Sequence, residues 1–170
     1  MTGKRMGWWI VTMCALVAVV VTPAVARGQA PDDEDAEAQA IAVIEQLFDA
    51  IRAADSATVR SLWADGVTQF GSSYTSPSAG PTVSYTSRED FIAAIGGAEV
   101  GAWDEQIIIR DVMVDDNMVT VVTPYEFYFD GNFSHCGVDV FVIARTGDGW
   151  KIVSLVDTRR RAGCEGWLNE

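Results

Sequence analysis

Between Tyr125 and Cys164 the chain reads YEFYFDGNFSHCGVDVFVIARTGDGWKIVSLVDTRRRAGC, and this stretch limits the fold more than any other. Apolar and polar residues alternate in three runs separated by Asp130-Gly131-Asn132 and Gly147-Asp148-Gly149. Alternation with a period of two is the pattern of strands buried on one face, and Gly-containing turns supply the positive φ angles that tight hairpins need. A further strand, Gln106 to Val114, joins through Asp115-Asp116-Asn117. Four strands therefore form an antiparallel meander.

Folding each strand back on its turn sets Val114 opposite Met118, Phe129 opposite Phe133 and Thr146 opposite Trp150. Side chains then sort by parity. The odd-numbered face carries Ile107, Ile109, Asp111, Met113, Val119, Val121, Thr123, Tyr125, Phe127, Phe129, Phe133, His135, Phe141, Ile143, Val153 and Leu155, and most of it is expected to be buried. On that apolar face Asp139 falls directly across from Asp157, with Arg159 one diagonal step away and Tyr125 and His135 nearby.

Two facing carboxylates on an apolar surface repel one another, and burial disfavours both ionised forms. One reading makes Asp139 and Asp157 a general acid/base pair with one pKa raised toward neutrality. The other makes them structural acids neutralised by Arg159. His135, the only histidine, is either a proton shuttle or a satisfied side chain at the sheet rim. Tyr125 either donates to a ligand carbonyl or is a core aromatic with its hydroxyl satisfied. Trp63, Phe127 and Phe141, with Arg159, are expected to wall the pocket.

Lys4 and Arg5, the apolar stretch Met6 to Val21 and the small residues of Ala24-Val25-Ala26 have the layout of a secretory signal over residues 1–26. A cut after Ala30 leaves the same domain. Loss of Lys4 and Arg5 leaves 10 Lys+Arg against 24 Asp+Glu, a formal charge of −14 on 144 residues. One domain of ordinary size follows, secreted or periplasmic, with no membrane association after cleavage. So acidic a chain is a poor partner for nucleic acid or anionic lipid. Cys136 and Cys164 then remain as the two cysteines, a disulfide candidate in an oxidising compartment. Register places Cys136 opposite Arg160, so a turn at Ala162-Gly163 brings Cys164 within reach. Two cysteines and one histidine lack the spacing of a zinc site, and no metal or cofactor is expected.

Upstream, residues 27–35 read as a disordered acidic leader. Ile41, Ile44, Leu47, Phe48 and Ile51 repeat at helical spacing, giving a long amphipathic helix that ends near Ala54. Asp55 or Ser56 caps a second helix bearing Val59, Leu62 and Trp63. A short strand, Val67 to Phe70, precedes a Ser/Gly/Pro/Tyr-rich stretch, residues 71–86, expected to be a loop, either a lid or surface slack. Ser87 with Asp90 opens a third helix that stops at Gly96-Gly97. The domain is expected over residues 36–164, with residues 165–170 as a tail.

The sequence Leu62-Trp63-Ala64-Asp65 after Asp55-Ser56, and the closing Gly149-Trp150-Lys151-Ile152 with Asp157-Thr158, resemble the NTF2-like superfamily, most closely its SnoaL-like and lumazine-binding-like bacterial branch. The resemblance covers about Ala36 to Arg161. It implies an α+β fold in which three N-terminal helices pack on a strongly curved antiparallel sheet wrapped into a cone, with ligands entering its open end. Members include isomerases, dehydratases, cyclases, epoxide hydrolases and non-catalytic binders, so the fold does not select an activity. The leading expectation is an exported accessory domain that binds a small, partly apolar molecule. The alternatives are a cofactor-independent lyase or isomerase with a pocket Asp as base, and a structural module that dimerises through the outer sheet face, where Val112, Val122, Val138, Val140 and Val142 lie. A homodimer is compatible with either of the first two.

Overall fold

The computed structural model describes residues 33–76, 78–164 and 168. The signal over residues 1–26, the first part of the leader and nearly all of the C-terminal tail lie outside the described residues.

Helix α1 spans Asp33–Arg52 and buries Ala36, Ala40, Val43, Ile44, Leu47, Phe48 and Ile51 along one stripe. It starts three residues before the expected Ala36, so Asp33, Glu34 and Asp35 of the leader form its first turn, where the helix dipole favours acids. Ala54, at φ 55°, ends the connection, and the Asp55 side chain accepts from the Ala57 and Thr58 amides to cap α2, Ser56–Leu62. Helix α3, Arg88–Gly96, begins as expected at Ser87, whose hydroxyl accepts from the Asp90 amide.

Seven strands follow the order β2-β1-β7-β6-β5-β3, with β4 also paired to β5: β1 Gln69–Ser76, β2 Gly80–Ser87, β3 Trp103–Ile107, β4 Asp111–Asp115, β5 Met118–Phe129, β6 Asn132–Thr146 and β7 Gly149–Arg159. Two expectations are corrected here. Residues 71–86 are not a loop but most of the β1/β2 hairpin, paired from Gln69↔Ser87 to Ser76↔Gly80. Its Thr82-Val83-Ser84-Tyr85-Thr86 run has the right side chains for a strand, and Pro81 is tolerated because β2 is an edge. The sheet is also mixed: β1 runs parallel to β7, from Gly71↔Val156 to Tyr74↔Arg159. This pairing covers the edge of β7 that the meander leaves open.

The expected first meander strand is divided. β3 pairs with Tyr125 to Phe129 and β4 with Val122 to Met118, with Ile108 to Arg110 between them. Each two-residue turn closes one residue tighter than estimated, as in Phe129↔Asn132 and Thr146↔Gly149. Bulges at Phe127/Tyr128 and Val142/Ile143 then restore the offset, so Asp139↔Asp157 holds as expected. The β4/β5 pairing has no bulge, and Val114 pairs with Val119 and not Met118. Val112 and Val114 therefore pack against the core and Met113 is exposed, the reverse of the expected parity. Past the second bulge the inward parity of β7 changes, and Trp150 and Ile152 are buried instead of Val153. Bulges also bend strands. The sheet stays open and curves about α1, whose Phe48 meets Phe141 of β6 edge to face at 6.0 Å.

Candidate functional site

The apolar residues of α1, the β1 start and the concave sheet face do not fill the space between them. A cavity of about 180 Å³ remains, walled by Leu47, Phe48 and Ile51 of α1, Phe70, Phe91, Trp103, Phe127, Phe129, Phe141 and Leu155. Its polar lining is Glu105, His135, Asp139, Asp157 and Arg159. The walls are organised by aromatic contacts: Phe91 against Phe70 at 5.2 Å, and Trp103 edge to face with Phe127 at 5.9 Å.

Register explains why these groups meet. One row of the sheet is Glu105–Phe127–His135 across β3, β5 and β6. Another is Thr123–Asp139–Asp157 across β5, β6 and β7. Between them lies Tyr125–Gly137. A Cβ on Gly137 would lie 1.7 Å from the Thr158 carbonyl oxygen, so only glycine lets β7 approach this closely. The Tyr125 ring occupies the face that Gly137 leaves bare, and its hydroxyl donates to the Thr158 carbonyl at 2.9 Å.

Asp139 is 4% exposed and Asp157 8%. The two differ in their partners. Asp157 Oδ2 accepts from Arg159 Nε at 2.7 Å, while Asp157 Oδ1 is buried with no hydrogen-bond partner. Asp139 accepts a long 3.4 Å contact from the Thr123 hydroxyl and shares a hydrogen bond with Glu105. Burial, then the Glu105 charge, raises the Asp139 carboxyl well above its usual range. Burial is also the largest cause at Glu105, which is pushed up to about 7 despite the hydrogen bond from Asp139. The Glu105–Asp139 pair thus holds one proton between two carboxyls near neutral pH.

Of the expected pocket residues, Phe127, Phe141, His135, Asp139, Asp157 and Arg159 line the cavity, and Trp63 and Tyr125 do not. Trp63 is turned into the core, stacked on Phe70 at 5.9 Å and bridged to Ile152. Tyr125 is 1% exposed, and burial raises its phenol further from ionisation. His135 sits between Tyr125 and Phe127, at 5.7 and 5.0 Å. Burial, then the Arg159 charge, lowers it to about 4, so its ring is neutral at physiological pH. Cys136, next to it, is bonded to Cys164 with their Cα atoms 6.0 Å apart.

The residue that sequence reasoning missed is Glu105. It lies two positions upstream of Ile107 on the same parity, so one more step along the strand would have found it. The surrounding Trp103-Asp104-Glu105-Gln106 lacks the alternation of a strand, so the sequence pattern begins the strand only at Gln106.

Solved structures similar to this one share its fold. An NTF2-like protein of unknown function from Silicibacter pomeroyi DSS-3 is 19% identical over 75% of this chain and 98% of its own, with a TM-score of 0.56. A protein from Kribbella flavida is 19% identical over 76% and 94%, at 0.54. An NTF2-like family member from Streptomyces avermitilis, provisionally named a dehydratase, is 20% identical over 76% and 99%, at 0.52. No curated protein matches the chain. The model of the SnoaL-like domain matches residues 41–156, from within α1 through α2, α3 and β1 to β6 and into β7 as far as Val156, and the chain belongs to that family.

Proposed function

We propose that the cavity takes a small, partly apolar molecule and that Glu105 and Asp139 exchange a proton with it, as a cofactor-independent lyase or isomerase requires. One observation carries this: two carboxyls share a hydrogen bond on the wall of an apolar cavity, with Glu105 held at about 7. A general acid or base works best with a pKa near the operating pH, and burial beside a like charge is how a carboxyl gets there. Asp157, tied to Arg159, orients the site.

A non-catalytic binder is the second reading. It is favoured by the engagement of Asp157 with Arg159 and of Tyr125 with Thr158, which removes two of the four expected groups from proton transfer. The disulfide and the N-terminal sequence support export, with the secreted or periplasmic domain as the working form. Among the described residues no helix is long and apolar enough to cross a membrane. Exposed Val83, Tyr85 and Val156 make the outer sheet face suitable for a homodimer.

Carbon-13 NMR titration of the side-chain carboxyls tests the proposal. One carboxyl of the pair should titrate near neutrality, and Asp139→Asn, which keeps a donor for Glu105 and leaves its burial unchanged, should leave that titration near neutrality. If both carboxyls titrate where free ones do, the proton-exchange reading fails and the binder remains.

A further inference from the structure

We propose that the ligand is an organic cation, a protonated amine on a body of about one aromatic ring, with its N–H groups directed at Asp157 Oδ1 and the Glu105–Asp139 carboxyls. This names the ligand class of the same cavity and rests on its being a ligand site.

Charge is the first ground. Three carboxyls and one guanidinium line the cavity, and the guanidinium is committed to Asp157. With one proton on the Glu105–Asp139 pair, the lining is still one negative charge in excess. A neutral ligand leaves that excess buried, and an anion adds to it.

The second ground is the orphan acceptor. Asp157 Oδ1 is buried on the cavity wall with no donor, and a buried acceptor without one is costly. An ammonium supplies up to three N–H donors. It can serve this oxygen and the neighbouring pair together, which a single hydroxyl cannot.

The walls are the third. Phe48, Phe91, Trp103, Phe127 and Phe141 surround the acids, and aromatic faces attract cations as well as aromatic bodies. A cavity of ~150 Å³ holds a benzene-sized molecule. The 180 Å³ here therefore suits one ring and a short tail. Among the described residues no three His, Cys, Asp or Glu converge as metal ligands, so the cation is organic.

A neighbouring cleft agrees in sign. It shares Phe48 and Glu105 with the cavity and adds Glu45, Asp49 and Arg52, the last engaged with Asp49 and Asp104. Negative charge outside a cavity raises the local concentration of cations.

An ammonium next to the pair stabilises its singly ionised form, so binding releases the proton that Glu105 loses near 7 and leaves one proton on the pair. Affinity should then rise with pH through Glu105's range near 7. The other charged groups facing the pair are Asp157 and Arg159 from β7, His135 from β6, and Glu45, Asp49 and Arg52 from α1. Tyr125 on β5 stays protonated. His135 titrates far below that range, at about 4.

Calorimetric titration of the oxidised chain with phenethylamine, phenethyl alcohol and hydrocinnamate separates the alternatives. At about pH 8 the amine should bind about tenfold tighter than the alcohol, and at about pH 6 that preference should shrink severalfold while the alcohol is unaffected. Glu105→Gln should erase the preference for the amine over the alcohol. If the alcohol binds as tightly as the amine, or hydrocinnamate binds best by pairing with Arg159, the cation class is overturned and the pocket stands. If none of the three binds, the cation class is overturned too, and the carboxyl titration decides the proton-exchange reading separately.

Discussion

Asp139 and Glu105 share a hydrogen bond although β5 lies between the strands that carry them. Neighbouring strands stand about 5 Å apart, so only the inward curl of the sheet and the length of the glutamate let the two carboxyls meet. The contact converts two surface-type residues into a proton-sharing pair inside an apolar cavity.

That pair should tie stability to pH. Glu105 has a folded pKa of about 7 against an ordinary value of 4.5, so its protonated form is favoured on folding. Its contribution is fully present below the ordinary value and is lost as pH rises through 7. His135 acts in the opposite sense, losing stability as pH falls from 6.5 toward 4. Urea unfolding of the native chain and of Glu105→Gln, compared at each pH, cancels the histidine. The difference between the two should move by up to ~3 kcal/mol between mildly acid and mildly alkaline solution. A constant difference would mean that Glu105 titrates normally.

The two aspartates should respond differently to amidation. Asp139→Asn removes one of two mutually repelling acids and keeps a donor for Glu105, so at neutral pH it should be neutral or stabilising by ~1 kcal/mol. Asp157→Asn leaves Arg159 without its counter-charge, and the guanidinium is half exposed, so a loss of ~1–2 kcal/mol is expected. Equal losses at both positions, in the same urea experiment, would identify a single structural ion-pair network.

Tyr125→Phe should cost ~1 kcal/mol, because it deletes the buried hydrogen bond to the Thr158 carbonyl. It should leave the binding of cavity ligands unchanged, since Tyr125 does not line the cavity. Calorimetry on the variant checks this, and a large drop in ligand affinity would restore Tyr125 as a ligand contact.

Reduction should destabilise the domain. The Cys136–Cys164 bond closes a separation of 28 residues, for which chain entropy gives ~3–4 kcal/mol. The urea midpoint under dithiothreitol should fall accordingly, and Cys164→Ser should match it. An unchanged midpoint would show that the tail adds nothing to the fold.

Much of the architecture was legible because its signals are local. The meander follows from turn residues and alternation, the helices from caps and spacing, and Asp139 opposite Asp157 from counting back along β6 and β7. Counting survived two register errors only because each bulge offset a tight turn. What was not legible depends on surfaces coming together. The β1/β2 hairpin is weakly patterned by itself and is stabilised by the open edge of β7, a partner some eighty residues away that no window of sequence contains. Trp63 reads as a pocket aromatic until Phe70 and Ile152 close over it.

The sequence alone determined the fold family, the cysteine pair and the row of acids on the concave face, because periodicity and turn chemistry act between residues close along the chain. Tertiary structure decided which acids share a proton. Glu105 reaches Asp139, Arg159 goes to Asp157, and Tyr125 turns away to Thr158. Those choices depend on sheet curvature, on the bare face of Gly137 and on the low polarity of an unfilled cavity. These are properties of the packed chain as a whole, and burial in that cavity is what lifts Glu105 to about 7.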